Sequence, residues 1–220
     1  MTDDLERSTG TGRLVTGVAW AVLLLGLWLW GRGVTGVPDG PAAGDVFAVG
    51  GAVDPASLPP AAKPLSAARP QRVDIPQLGV TAPVTARGLD ADGAVDPPPY
   101  DQANVVGWYG AGTAPGAAGA ALLVGHVDTR TRPAVFYKLS TLETGETVRV
   151  VRADGKVARF TIDDVRVLPR EDFDARQAYA PHHRGRAELR LITCGGTFDR
   201  ARGTYTANVV VSAYLTGTDG

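Results

Sequence analysis

The chain has 220 residues, a net charge of −1, 28 glycines, 16 prolines and one cysteine. That length holds one domain with a real core plus extra segments. Near-neutral charge without a long basic run excludes an electrostatic nucleic-acid binder, and a lone cysteine excludes an intramolecular disulfide.

Residues 1–13 form a short polar start containing Arg7 and Arg13, and no residue from Leu14 to Gly31 is charged. As a helix those residues span about 27 Å, close to the roughly 30 Å hydrocarbon core of a bilayer. Trp28 and Trp30 fall at the outer end, where indole rings favour the interface. The run is longer than a signal-peptide core and no Ala-x-Ala site follows Trp30, so 14–31 is read as an uncleaved transmembrane anchor. Arg7 and Arg13 outnumber Arg32, which puts residues 1–13 in the cytoplasm and the body outside a single-pass cell membrane protein. Residues 32–70 are rich in proline, alanine and glycine with few large apolar side chains, the composition of a disordered spacer.

From residue 71 to 216 the texture changes. Arg72 to Pro76 and Gly79 to Val84 run β-branched between breakers, as short strands do. Asp90 to Pro99 is turn material, and Ala120 to Val127 is an apolar run suited to a buried strand. Glu146 to Ala153, Lys156 to Ile162 and Val165 to Leu168 follow, with Ala153-Asp154-Gly155 as a hairpin signal. Leu189 to Thr193 and Asn208 to Leu215 complete the strands, and only Tyr137 to Leu142 and Asp172 to Tyr179 read as weakly helical. Some eight short strands at close spacing predict an all-β closed barrel with short helices, and 217–220 a C-terminal tail.

Cys194 ends the apolar run Leu189 to Thr193 and stands before Gly195 and Gly196, where a substrate can come close. A lone thiol is often a small buried hydrophobe, but this setting reads as a nucleophile. A thiol near neutral pH is mostly protonated and needs a base or a positive field to attack a carbonyl. His126, in Gly-His-Val-Asp-Thr at the end of the buried run, supplies a base that, once protonated, returns the proton to a leaving amine. His182 and His183 sit in a Pro-Gly-flanked loop and read as exposed; no regular thiolate or imidazole spacing supports a metal site, and no cofactor is expected.

Leu191-Ile192-Thr193-Cys194, the upstream His126, the strand set and the anchor together resemble sortases, the cysteine transpeptidases of Gram-positive cell surfaces. Gly-His-Val-Asp-Thr, Thr-Cys-Gly-Gly-x-Phe-Asp and Tyr-x-x-Asn-Val-Val-Val are most similar to the class F branch, and the likeness runs over Arg72 to Leu215. The resemblance implies an eight-stranded sortase β-barrel. It also implies attack by Cys194 on the Thr–Gly bond of an LPXTG-like sorting signal, a thioacyl intermediate, and transfer to an amine acceptor such as a cell-wall precursor. The implied partners are secreted proteins bearing that C-terminal signal, and His126 is the implied acid/base residue.

Two positions depart from the pattern. Arg190 stands where the family's motif begins with threonine, and Asn208 stands where sortases carry an arginine. A guanidinium near the developing oxyanion stabilises charge that water cannot reach. Arg200, Arg202 and Arg190 are the candidates; Arg200, on the loop leaving Cys194, is the one expected. Two competing readings remain. Cys194 to Arg200 has the Cys-x5-Arg spacing of cysteine phosphatases, though Asp199 inside it would repel a phosphate dianion. An anchored binding module that has lost chemistry would keep the barrel and bury Cys194, with Asn208 as its support.

Overall fold

The computed structural model describes residues 57–91 and 93–219. The expected cytoplasmic tail, the transmembrane anchor 14–31 and the spacer up to residue 56 lie outside them. Among the described residues no helix is long and apolar enough to cross a membrane.

Eight strands close into one barrel: β1 (Pro70–Ile75), β2 (Val80–Arg87), β3 (Val106–Tyr109), β4 (Gly119–Val124), β5 (Thr147–Arg152), β6 (Val157–Pro169), β7 (Ala187–Asp199) and β8 (Thr204–Asp219). Around the barrel the order is β1-β2-β3-β4-β7-β8-β6-β5, with β5 returning to β1. Only β2–β3 and β4–β7 run parallel. A five-residue helix, α1 (Ala175–Tyr179), and four 3-10 turns lie in the connections.

Alternation along the strands sorts the side chains. Leu189 and Leu191 of β7 and Val209, Val211 and Ala213 of β8 point into the barrel, among a core that also holds Ile75, Leu123, Phe136 and Phe160. Each such Leu, Ile or Phe, fully buried, stabilises the fold by about 1.5–3 kcal/mol. The opposite parity faces outward, yet there too the residues are apolar: Leu122, Val124, Ile192 and Val210 form a second cluster under Val95, Leu168, Phe173 and Tyr179. Strands apolar on both faces mark where loops pack over the barrel wall, and that covered wall carries the site.

The structure departs from the sequence reading at several elements. β3 escaped notice because it has four residues and one is Gly107. Lys156 to Ile162 and Val165 to Leu168 are one strand, β6, bent by a register shift between Ile162 and Asp164. Tyr137 to Leu142 keeps only a 3-10 turn, Leu139–Thr141. Residues 217–219, expected as tail, continue β8, pairing with Val157 to Arg159, and Arg159 meets Asp219 at 3.0 Å.

Residues 59–69, expected as spacer, lie along the barrel. A proline-rich chain has few hydrogen bonds of its own, so its backbone pairs outward. Ala62 N–H donates to Leu215 O, Leu65 N–H to Gly116 O, and Pro59 O accepts from Tyr214 Oη. Arg152, 1% exposed, completes the attachment by donating to Ser66 O and Pro115 O, both at 2.6 Å, and to the Asp154 carboxylate.

Candidate active site

Cys194 lies within β7 and pairs with Asn208 of β8. Its parity is that of Ile192, so the thiol faces outward, onto the covered wall, and is exposed there. Past Cys194 the ladder shifts between Gly195 and Phe198, and Gly196 adopts φ 75°. A Cβ at Gly196 would stand 2.6 Å from Thr206 Oγ1. That glycine therefore serves a bulge packed on β8.

β4 runs parallel to β7, with Val124 beside Ile192, and Gly125 N–H donates to Ile192 O. This register carries the next residue, His126, toward the level of Cys194. A Cβ at Gly125 would lie 2.7 Å from both Phe136 and Val135, so only glycine lets the chain pass over the core at this point. The strand ends at Val124, three residues earlier than the apolar run suggested.

His126 is held from the opposite wall. Its Nε2 lies 2.6 Å from Pro98 O, and a carbonyl only accepts, so Nε2 carries a proton. Tyr100 stacks on the ring at 4.3 Å between centroids and 18° between planes. The segment reaching over the histidine begins at Asp96, which Arg87 of β2 holds by an ion pair and by a 3.2 Å bond to its backbone oxygen. The sequence identified 90–99 only as turn material, because three successive prolines say nothing of what they cover.

Cys194, His126, Asn208 and Arg170 line one cavity of about 340 Å³, whose apolar walls include Val95, Val124, Ile192, Phe173 and Tyr179. Phe173 and Tyr179 meet edge to face at 6.3 Å, and Asp174 caps α1 by accepting from Arg176 N–H at 2.9 Å. Below them, on the outward face of β7, Glu188 accepts the backbone N–H groups of His182 and His183 and a 2.6 Å bond from Arg190. Burial would raise the Glu188 carboxyl, but these donors prevail and hold it below its ordinary value. The pair fixes the segment after α1 against the barrel.

Of the expected residues, the structure brings Cys194 and His126 into one cavity and leaves the three candidate arginines elsewhere. Arg190 is 1% exposed, bonded to Glu188 and to Ala180 O. Arg200 and Arg202 are exposed in the β7–β8 turn, where Asp199 accepts from Ala201 N–H, Arg202 N–H and Gly203 N–H. That tight turn keeps Arg200 off the cavity. The arginine that lines the cavity is Arg170. In the ladder Cys194 neighbours Asn208, Asn208 neighbours Leu168, and Arg170 follows Leu168 just beyond the end of β6. Two strand spacings, about 10 Å, separate β6 from β7, within the span of a long arginine side chain, which donates from Nη1 to Thr204 Oγ1 at 2.7 Å. No spacing rule pointed to Arg170, since it comes to the cavity of the thiol across β8 and not along the chain.

Burial pushes the Cys194 thiol above its ordinary value, Arg170 pulls it down, and Asp128 raises it again. The net shift is upward, so the resting group is a thiol that needs a base. The phosphatase reading has no cradle here: residues 194–199 are a bulged strand laddered to β8, with Thr197 N–H spent on Thr206 Oγ1, where an anion site needs free N–H groups. Among the described residues, no three His, Cys, Asp or Glu side chains gather as a metal would require.

Comparison with known proteins agrees with the barrel fold. A family model described as Sortase domain matches residues 73–216. The SrtA sortase from Actinomyces oris superposes with a TM-score of 0.53 at 20% identity, covering 74% of this chain and 88% of that one. Sortase A from Corynebacterium diphtheriae, a lid mutant, gives 0.51 at 18% identity over 70% and 74% of the two chains. Sortase C-1 from Actinomyces oris gives 0.50 at 21% identity over 66% and 73%. No curated protein sequence matches the chain.

Proposed function

The chain belongs to the sortase family, and on that premise we propose that it is a membrane-anchored cysteine transpeptidase whose reacting groups are Cys194, His126 and Arg170. One observation carries the reading: thiol, imidazole and guanidinium line a single cavity with apolar walls. The class F likeness of the motifs, the anchor at 14–31 and an extracellular barrel belong to the same proposal.

The first half-reaction follows from the arrangement. With Nε2–H on Pro98 O, the neutral imidazole has its lone pair on Nδ1 and takes the thiol proton. Cys194 Sγ attacks the carbonyl carbon of the Thr–Gly bond in an LPXTG-like signal. The carbonyl oxygen gains negative charge, which the Arg170 guanidinium stabilises. His126 then protonates the departing glycine nitrogen, the C–N bond breaks, and a thioester remains on Cys194. The walls at Val95, Val124, Ile192, Phe173 and Tyr179 suit the leucine and proline of such a signal. An amine acceptor resolves the thioester, joining the secreted protein to the cell wall.

Intact-mass measurement of the protein incubated with sorting-signal peptides tests this. A thioester adduct is expected, equal to the peptide up to its threonine, absent from Cys194→Ala and released by hydroxylamine. Failure of every Leu-Pro-x-Thr-Gly peptide to leave an adduct, on a protein whose Cys194 still alkylates, would overturn the proposal.

A further inference from the structure

Outside the apolar cavity, where β8 begins and the chain leaves His126, stands a second group of side chains. Tyr205 Oη donates to Asp128 Oδ2, tying the start of β8 to the segment two residues past His126. The Phe198 ring meets the Tyr205 ring edge to face at 5.2 Å. Phe198 is 47% and Tyr137 52% exposed, an unusual concentration of uncovered rings. Tyr137 and Cys194 both act electrostatically on Tyr205, and Asp128 acts on Cys194, so the five residues share one neighbourhood.

Asp128 is held but not neutralised. Asp128 meets no basic side chain, as is also true of Asp101, Glu143 and Asp174 among the described residues, but it alone of these stands beside the cavity of Cys194 and His126, and its Oδ1 accepts no hydrogen bond. Its charge also opposes formation of the thiolate at Cys194. A carboxylate that works against the nucleophile, fixed by a tyrosine and left without a cation, suits a substrate that brings the cation itself.

We propose that Asp128, positioned by Tyr205, receives the acceptor: a primary amine whose carrier lies over the rings of Phe198 and Tyr137. This rests on the transpeptidase reading and deepens it, giving the acyl donor and the amine separate approaches to the same sulfur. The acceptor arrives as an ammonium ion, its charge met by the carboxylate and ring faces. One proton leaves to solvent. The nitrogen lone pair then forms the C–N bond to the thioester carbonyl carbon, and positive charge grows on nitrogen beside Asp128. The C–S bond breaks with its electron pair going to Sγ, and the second proton passes from nitrogen through His126 to the sulfur. Asp128 stays ionised throughout.

The test is the ratio of transfer to hydrolysis from one thioester pool, with glycinamide as acceptor and hydroxylamine as an acceptor uncharged at pH 7. Asp128→Asn is expected to lower the glycinamide ratio about tenfold through a raised KM for the amine, since it removes a charge-assisted contact, and to change the hydroxylamine ratio less than twofold. Tyr205→Phe, which frees the carboxylate without removing it, is expected to lower the glycinamide ratio by about threefold. The assignment is overturned if aminolysis and hydrolysis fall in step, if both acceptors lose equally, or if neither ratio moves. Failure of the parent protein to form a thioester at all would instead remove the underlying transpeptidase reading.

Discussion

Replacing Arg170 by alanine isolates the least expected feature of the site. Removing one pre-organised donor to a developing oxyanion costs about 10²–10³ in kcat, or roughly 2.7–4 kcal/mol. Arg170 is exposed and makes one side-chain bond, to Thr204 Oγ1 at 2.7 Å. Solvent screening therefore places the loss near the lower end, about 10². Arg170→Lys keeps the charge without the fork and is expected to recover only part of it. Asn208 is the ladder neighbour of Cys194, so adding Asn208→Arg to Arg170→Ala should return at least tenfold of the lost rate by supplying the guanidinium from the next strand. Quenched-flow intact-mass measurement of thioester formation at saturating peptide separates kcat from KM. A rate for Arg170→Ala within threefold of the parent, alongside a hundredfold loss in Arg200→Ala, would refute the reasoning and restore the arginine expected from the sequence.

Further outcomes follow from the same geometry. His126→Ala should lower thioester formation by about 10²–10⁴ while leaving the unfolding midpoint nearly unchanged, because it removes the proton carrier; retained peptide cleavage would refute the role. The rate of Cys194 alkylation by iodoacetamide should keep rising as pH passes 9.0, since the folded thiol titrates above that value, and Arg170→Ala should move the plateau higher still. Arg152→Met leaves the carbonyl oxygens of Ser66 and Pro115 and the Asp154 carboxylate without their donor. The two carbonyl oxygens left without a donor cost about 2–4 kcal/mol together, a fall of roughly 10 °C in Tm for a domain of this size, readable by calorimetry. The same variant removes an acid sensitivity. Arg152 holds the Asp154 carboxyl down at about 2 from an ordinary 3.8, so its stabilising contribution is complete above 3.8 and is lost as pH falls toward 2. The Arg152→Met melting temperature should be flatter across that window.

Local pattern made much of this protein legible. β-branched runs between breakers located β1, β2, β4, β5 and β8, because a strand's period and its turn residues are properties of neighbouring residues. Cys194 and His126 stood out because each ends an apolar run beside glycine, a setting visible in a few positions of sequence. The Glu188 and Arg190 pair was harder to read. Two charges alternating with Leu189 and Leu191 signal a solvated face, and only the segment after α1, folding back over it, makes that face an interior.

The chain on its own determined the barrel and pointed to Cys194 and His126 as its proposed nucleophile and base, since burial period, turn chemistry and reactive side-chain types are written locally. Tertiary structure alone decided which arginine lines the cavity that holds the thiol. Arg200 is near Cys194 in sequence but is directed away by a turn built on Asp199, whereas Arg170 arrives across a third strand. Register between strands, which no local pattern encodes, converts distance along the chain into proximity at the sulfur.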